Sequence, residues 1–375
     1  MNRRLLVLLV LSAGLAALLA GCAIPGRMTE PQGMGPTEAR EAILRVLPDK
    51  LDDRAGWAAD VHAALAAQEL PSTAENLCAV LAVTEQESGY RADPAVPGLA
   101  AIAWKEIERR ADAANVPMLA VRAALALPSG GGRSYAERID AVKTERQLSE
   151  VFEDFIGMVP LGRSFLAERN PVRTGGPMQV SINFAEAQAR LRPYPYPVKD
   201  SIRREVFTRR GGLYFGAAHL LAYDAPYDQP IYRFADFNAG RWASRNAAFQ
   251  NALAVASGLP VALDGDLLPH GGDAARGETE RAAATLAARL GLNESAIRRD
   301  LGQGEEAGFE KTVLYERVFA YAEQLDRRVL PRAVLPKIDL HSPKFSRKLT
   351  TEWFARRVDE RHRRCLARMP ASRDD

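Results

Sequence analysis

Glu87 is the residue in this chain whose type and position best fit acid–base chemistry. It is followed by Ser88 and Gly89, and it ends an apolar stretch that begins after Pro71. Glycine supplies the left-handed residue that closes many helices, so the pattern predicts a helix with Glu87 in its last turn. The negative end of the helix dipole and partial burial would both raise the pKa of this carboxyl group towards the value that a general acid needs.

The segment before Glu87 predicts how the helix begins and which carboxylate it presents. Ser72 and Glu75 have the spacing of a capping box, with Ser72 as the N-cap. Glu85 is a competing acid, but two residues turn a helix by roughly 200°, so Glu85 and Glu87 cannot lie on one face. The serine that follows Glu87 favours Glu87.

Two later segments combine glycine turns with polar and apolar side chains of the kind that line binding clefts. They are Gly176-Pro177-Met178-Gln179 and Ala235-Asp236-Phe237-Asn238-Ala239-Gly240. An apolar helix is predicted between them, from Gly211 to Tyr223. We expect both segments to fold back towards Glu87.

Together, the three segments resemble the pattern of the soluble lytic transglycosylases, which have a goose-type lysozyme-like fold. That family has Glu-Ser at the end of a helix, then Gly-Leu-Met-Gln, and then Ala-Tyr-Asn-Ala-Gly after a further helix. The similarity extends over about residues 72–256, with residues 91–170 unmatched. It implies a mainly α, lysozyme-like domain that cleaves peptidoglycan.

The resemblance also implies a role for each matched residue. Glu87 would protonate the glycosidic oxygen between MurNAc and GlcNAc, and its carboxylate would then take the proton of the C6 hydroxyl, closing a 1,6-anhydro ring. This chemistry needs neither water nor the second carboxylate of most glycosidases. The residues expected to bind the substrate or orient the acid are Ser88, Met178, Gln179, Tyr214, Phe237 and Asn238.

Several departures from the family pattern leave a second interpretation open. Phe237 stands where the family has tyrosine, so a hydroxyl is missing unless Tyr214 or Tyr232 replaces it. Pro177 stands in place of leucine, and the first two segments are separated by a long insertion. The alternative to an active enzyme is therefore a catalytically inactive lipoprotein that binds peptidoglycan or assists envelope assembly.

The start of the chain is typical of an exported lipoprotein. Arg3 and Arg4 precede an apolar run over residues 5–20, and Leu-Ala-Gly comes directly before Cys22, which resembles a bacterial lipobox. The resemblance implies cleavage before Cys22, acylation of its thiol, and an anchor in the outer membrane facing the periplasm. A plain transmembrane anchor is the alternative, although the run is short for a span.

Composition excludes some function classes. The chain of 375 residues has 50 basic and 47 acidic residues, and this near-neutral balance argues against nucleic acid as a partner. The five histidines lack metal-ligand spacing, so no metal or other cofactor is predicted, and His219 is expected to be a core residue. Cys78 and Cys365 would form either a disulfide, in an oxidising compartment, or two separate buried thiols.

The predicted organisation has four parts. They are a signal peptide (1–21), a tether (22–35), a lysozyme-like domain (36–258) with a helical insertion (91–170), and a C-terminal helical extension (259–375). Within the insertion one helix is predicted over residues 102–126, and the extension is predicted to end in a helix over residues 351–366. The whole chain also resembles a family of uncharacterised Gram-negative lipoproteins, which carries no further expectation about function.

Overall fold

The structure, a computed structural model, is mainly α-helical over the residues that it describes. These are residues 33–269, 276–340 and 348–370, with the backbone alone at Arg163. The predicted signal peptide, the lipidation site Cys22 and most of the tether lie outside them. Within them, no helix has both the length and the apolar character that crossing a membrane requires.

The helices are accompanied by two small antiparallel pairs of strands. The helices before residue 170 are α1 (Pro36–Val46), α2 (Arg54–Ala67), α3 (Ala74–Ser88), α4 (Leu99–Ala113), α5 (Met118–Leu125), α6 (Tyr135–Asp140), α7 (Glu145–Gly157) and α8 (Gly162–Leu166). A hairpin of β1 (Thr174–Gly175) and β2 (Val180–Ser181) leads to α9 (Ile182–Leu191), α10 (Ile202–Val206), α11 (Arg209–Leu221), α12 (Pro230–Ala239) and α13 (Ala243–Ser257). The last elements are α14 (Glu278–Thr285), α15 (Ala287–Leu290), α16 (Glu294–Leu301), α17 (Val313–Asp326), β3 (Asp339–Leu340), β4 (Leu349–Thr350) and α18 (Thr351–Leu366).

The ends of α3 fix the position of Glu87. The N-cap is Thr73, whose side chain accepts a hydrogen bond from the backbone N–H of Asn76 at 3.2 Å, so the predicted cap at Ser72 is wrong by one residue. The helix ends at Gly89, which has the expected left-handed conformation with φ of 57°. Glu87 therefore lies in the last turn, as the sequence predicted.

The first core contains helices from both ends of the chain. It is built from the apolar faces of α1, α2, α3, α11, α12 and α18, with Leu77, Leu213 and Phe234 fully buried. Helix α18 packs against α3 and α12, and a disulfide joins Cys78 of α3 to Cys365 of α18 with their Cα atoms 5.6 Å apart. The disulfide that the sequence left open is thus present in the structure.

The insertion forms a small helical subdomain with a core of its own. Leu99, Tyr135 and Ile139 are among the apolar side chains buried there. The single helix predicted over residues 102–126 is broken in two, because Asn115 adopts a left-handed conformation and Pro117 cannot continue a helix.

A second core is formed by α13 to α17, around Phe249, Phe309 and Phe319. Arg245 of α13 ties this helix to the segment before α17. It is fully buried, and its guanidinium donates to the carbonyl oxygens of Gly304 at 2.7 Å and Glu306 at 2.9 Å. Segment 259–375 is therefore not packed as one piece. Its first helices join α13 in the second core, whereas its last helix returns to the first core.

Candidate functional site

A cleft with a volume of about 650 Å³ brings the three segments together. Glu87 reaches it from the end of α3, Gln179 from the β1–β2 hairpin, and residues 237–240 from the end of α12. The insertion contributes another part of the lining, with residues 94–97 and Glu145. Residues far apart in the chain thus line one open cleft, as expected of a ligand site.

The structure distinguishes Glu87 from its competitor on the same helix. Glu87 is half-buried and lines the cleft. Glu85 is absent from the described lining and forms ion pairs with Arg361 at 3.2 Å and Arg364 at 3.5 Å, both on α18. Glu85 therefore helps to join α3 to α18, and Glu87 is the one of these two carboxylates that lines the cleft.

Gln179 is presented by a tight hairpin. Thr174 pairs with Ser181 and Gly175 with Val180, which leaves a short turn that ends at Gln179. Gln179 has a φ of 50°, an uncommon conformation for a residue other than glycine. Its Nε2 donates to the carbonyl of Gly176 and its Oε1 accepts from Thr174 Oγ1, both at 3.3 Å. A strained, internally bonded turn that faces a cleft is a feature of functional sites.

Met178 supports this hairpin from below and does not line the cleft. Its side chain is fully buried against α11, where Gly212 and Gly216 lie one turn apart. A Cβ atom at Gly216 would come within 2.8 Å of the Met178 Cβ, and one at Gly212 would come within 2.9 Å of the Pro177 Cγ. The two glycines therefore allow the hairpin to approach the helix closely enough for Gln179 to reach the cleft.

The end of α12 is anchored by Asp236, a buried residue. Its carboxylate accepts hydrogen bonds from the hydroxyls of Tyr223 at 3.0 Å and Tyr227 at 2.7 Å, and from the backbone N–H of Ser244 at 2.7 Å. Burial raises the pKa of this carboxyl group, while the hydrogen bonds act in the opposite direction. These bonds fix the turn between α12 and α13, and with it the cleft residues 237–240 that follow Asp236.

His219 lines the cleft, although the sequence analysis placed it in the core. Its ring packs between Phe184 and Phe237, with centroid distances of 4.7 and 5.1 Å. Its buried Nδ1 has no hydrogen-bond partner among the described residues. Burial, helped by the charge of Arg241, lowers the pKa of His219 to about 4, so the ring is neutral at neutral pH.

Besides Met178, three residues named from the sequence are absent from the described cleft lining. Ser88 is buried, and its hydroxyl donates to the carbonyl of Thr84 at 3.0 Å, within α3. Tyr214 is fully buried in the core around the hairpin, and Tyr232 is also absent from the described lining. Neither tyrosine therefore supplies the hydroxyl that Phe237 lacks.

Glu145 is the functional candidate that the sequence analysis missed. It is the first residue of α7, is half-buried, and lines the cleft together with Glu87. Because it belongs to the unmatched insertion, no motif pointed to it, and only the fold brings the two carboxylates into one cleft. Among the described residues, no group of three metal-binding side chains could hold a metal ion.

Comparisons with known proteins agree on an uncharacterised family. Residues 50–368 match DUF1615, described as a protein of unknown function. A curated relative from Escherichia coli (strain K12), "Uncharacterized protein YaiW", is 51% identical over 349 residues, which are 93% of this chain and 95% of the relative. No solved structure matches the chain. Because the family match includes the insertion and most of α18 as well as the three motif segments, the chain belongs to the DUF1615 family.

Proposed function

We propose that this protein is a lytic transglycosylase with a lysozyme-like domain, which cleaves the glycan strands of peptidoglycan between MurNAc and GlcNAc. One observation carries the proposal: Glu87, Gln179 and Asn238, which come from three separate motif segments, line a single cleft of about 650 Å³. Clefts of roughly 300–1,000 Å³ are typical of small-molecule and oligosaccharide sites.

Glu87 is the proton donor and acceptor in this mechanism. It first protonates the glycosidic oxygen as the bond to the anomeric carbon of MurNAc breaks, and positive charge develops on that sugar. The resulting carboxylate then removes the proton of the C6 hydroxyl, whose oxygen bonds to the anomeric carbon. The muramoyl product carries a 1,6-anhydro ring, and no water is consumed.

The other cleft residues suit the binding of a sugar. Phe237 offers an apolar surface to the face of a pyranose ring, while the amides of Gln179 and Asn238 can hydrogen-bond to its oxygens. A hydrogen bond between protein and sugar replaces hydrogen bonds that both groups made to water, so its net contribution to the binding free energy is small unless the protein group is already well oriented. The hydrogen bonds that hold the Gln179 side chain in place therefore favour binding.

The proposal includes an extracytoplasmic location. Cleavage before Cys22 and acylation of its thiol would anchor the protein in the outer membrane, facing the periplasm, where peptidoglycan is found. The disulfide between Cys78 and Cys365 supports an oxidising compartment.

The test compares two substitutions on the same helix. Purified protein is incubated with cell-wall sacculi, and released fragments are identified by mass spectrometry. Wild type should release anhydromuropeptides, and Glu87→Gln should lower the rate by about 10²–10⁴-fold, as expected on removal of a general acid. Glu85→Gln is the matched control and should keep the activity, because Glu85 pairs with arginines outside the cleft.

A second candidate function is hydrolysis of the same bond. The presence of Glu145 in the cleft favours it, because two carboxylates can divide the roles of acid and base, with a water molecule as the nucleophile. The products separate the two reactions, since hydrolysis leaves a reducing end that contains the elements of one more water molecule than the anhydro product.

Binding without cleavage would support the inactive protein instead. Phe237 is the observation that favours this outcome, because it lines the cleft without the hydroxyl of the family's tyrosine. Wild type that sediments with sacculi and releases no fragment would be a glycan-binding protein. Wild type that neither binds nor cleaves would exclude all three functions.

A further inference from the structure

The N-terminal end of α18 contacts a cleft residue from outside the cleft. Thr351, the first residue of this helix, is fully buried, and its Oγ1 donates a hydrogen bond to Oδ1 of Asn238 at 2.8 Å. Asn238 lines the cleft, whereas Thr351 does not appear in its described lining. The two residues are 113 positions apart in the chain, and Thr351 lies outside the segments that suggested the function.

The hydroxyl of Thr351 is itself held in place. The backbone N–H of Thr351 donates to the carbonyl of Ile338 at 3.1 Å, and the side chain of Thr350 caps the same helix by accepting from the N–H of Trp353 at 3.0 Å. Helix α18 is further fixed to α3 by the disulfide. The donor that meets Asn238 therefore lies at a capped helix start that is hydrogen-bonded to the preceding segment.

In the structure the oxygen end of the Asn238 carboxamide is the one that meets Thr351. An asparagine side chain has one acceptor oxygen and one NH₂ group that donates two hydrogen bonds, and rotation by 180° exchanges them. With the oxygen engaged by Thr351, the NH₂ group is the end left for a ligand. Within the described residues that group makes no hydrogen bond of its own.

We propose that Thr351 is a positioning residue, which holds the Asn238 side chain so that its two N–H donors point towards the oxygens of a bound sugar. The inference rests on the proposed glycan-cleaving function and adds an element to it. The C-terminal helix, which stands outside the lysozyme-like pattern, orients part of the substrate site.

The test uses two substitutions of Thr351 in the full-length protein. Thr351→Val keeps the shape of the side chain and removes the donor, and it should lower kcat/KM for glycan cleavage about tenfold, mainly by raising KM, as expected for loss of one hydrogen bond. Thr351→Ser keeps the hydroxyl and should restore kcat/KM to within about twofold of wild type. Equal kcat/KM for wild type and Thr351→Val would overturn the proposal.

A double-mutant cycle separates positioning from general stabilisation. In an Asn238→Ala background, Thr351→Val should cause no further loss of kcat/KM, because the residue through which it acts is gone. The same tenfold loss in both backgrounds would show that Thr351 acts elsewhere and would overturn the proposal.

A second measurement does not depend on activity. Asparagine-selective ¹⁵N labelling gives a side-chain NH₂ signal for Asn238, identified by its absence in Asn238→Ala. In the free protein this signal should shift or split in Thr351→Val and return in Thr351→Ser, whereas no change in Thr351→Val would overturn the inference. If wild type cleaves no glycan, the proposed function fails, and the NMR signal alone decides the orientation of Asn238.

Discussion

At the scale of single residues, His219 should make the stability of the protein depend on pH. Its pKa is lowered from 6.5 to about 4 in the folded state, chiefly by burial. Between these values the unfolded chain binds the proton and the folded protein does not, so stability is lost as the pH falls from 6.5 to 4. The shift corresponds to at most about 3 kcal/mol of the free energy of unfolding.

Replacing His219 by phenylalanine should remove this contribution. Phenylalanine keeps the ring between Phe184 and Phe237 and eliminates the buried nitrogen that lacks a partner. Urea unfolding at pH 7 and at pH 4.5 should therefore show a smaller loss of stability for His219→Phe than for wild type. A pH dependence that His219→Phe leaves unchanged would contradict the assignment.

The sequence predicted some site residues correctly because their motifs encode local geometry. Glu87 lies in the cleft because Gly89 ends its helix two residues later. Gln179 lies there because the turn that begins at Gly176 presents it. Ser88 and Met178 belong to the same motifs, but each is buried beneath the residue that is presented. A linear pattern identifies the segment that approaches the cleft, and only the packing decides which side chain faces it.

At the scale of elements, the approach of the hairpin to α11 depends on glycine. Gly216→Ala should destabilise the protein by about 1–3 kcal/mol, because the added Cβ meets the side chain of Met178 and the hairpin must move away from the helix. The same displacement should lower glycan cleavage, since Gln179 follows Met178 directly. Urea denaturation and the sacculus assay measure the two effects.

Gly131→Ala is the matched control for this substitution. Gly131 lies in the insertion, and nothing stands within 4 Å of a Cβ atom built on it. Its stability should stay within about 0.5 kcal/mol of wild type, with unchanged cleavage. If Gly216→Ala were as harmless as Gly131→Ala, the close approach between hairpin and helix would have no energetic importance.

The helices themselves were easier to predict than the elements against which they pack. Helical periodicity located α3, α11 and α18 within a few residues, because each has a buried apolar face and clear end signals. The break between α4 and α5 was missed, although Pro117 marks it in the sequence. The position of Glu145 in the cleft lining was not predictable, because nothing local to α7 shows that its first turn shares a cleft with the last turn of α3.

At the scale of the whole molecule, the last helix of the chain packs against helices from much earlier in the sequence. The segment after residue 258 was predicted as an extension, yet its last helix packs between α3 and α12. No local sequence pattern predicts that α18 packs against α3 and α12, because a helix needs the same apolar face whatever it packs against. The two cysteines were the one signal of it, and the sequence could not decide whether they pair.

The disulfide between Cys78 and Cys365 should therefore stabilise the site-bearing helix as well as the fold. It closes a loop with a sequence separation of 287 residues, and a cross-link over so long a loop lowers the entropy of the unfolded chain most. In a chain that begins at residue 23, which leaves these two as its only cysteines, Cys78→Ser with Cys365→Ser should lower the free energy of unfolding by about 2–5 kcal/mol. Urea unfolding with and without a reductant measures this loss.

The same comparison contains its own control. A reductant should destabilise the wild-type chain to the level of the double serine variant and should leave that variant unchanged. Because α18 carries Thr351 and α3 carries Glu87, loosening their contact should also weaken glycan binding before the protein unfolds globally. Coincident unfolding curves for the oxidised and reduced wild type would mean that the ion pairs of Glu85 and the apolar packing hold α18 on their own, and that the covalent link adds nothing to the closure of the chain.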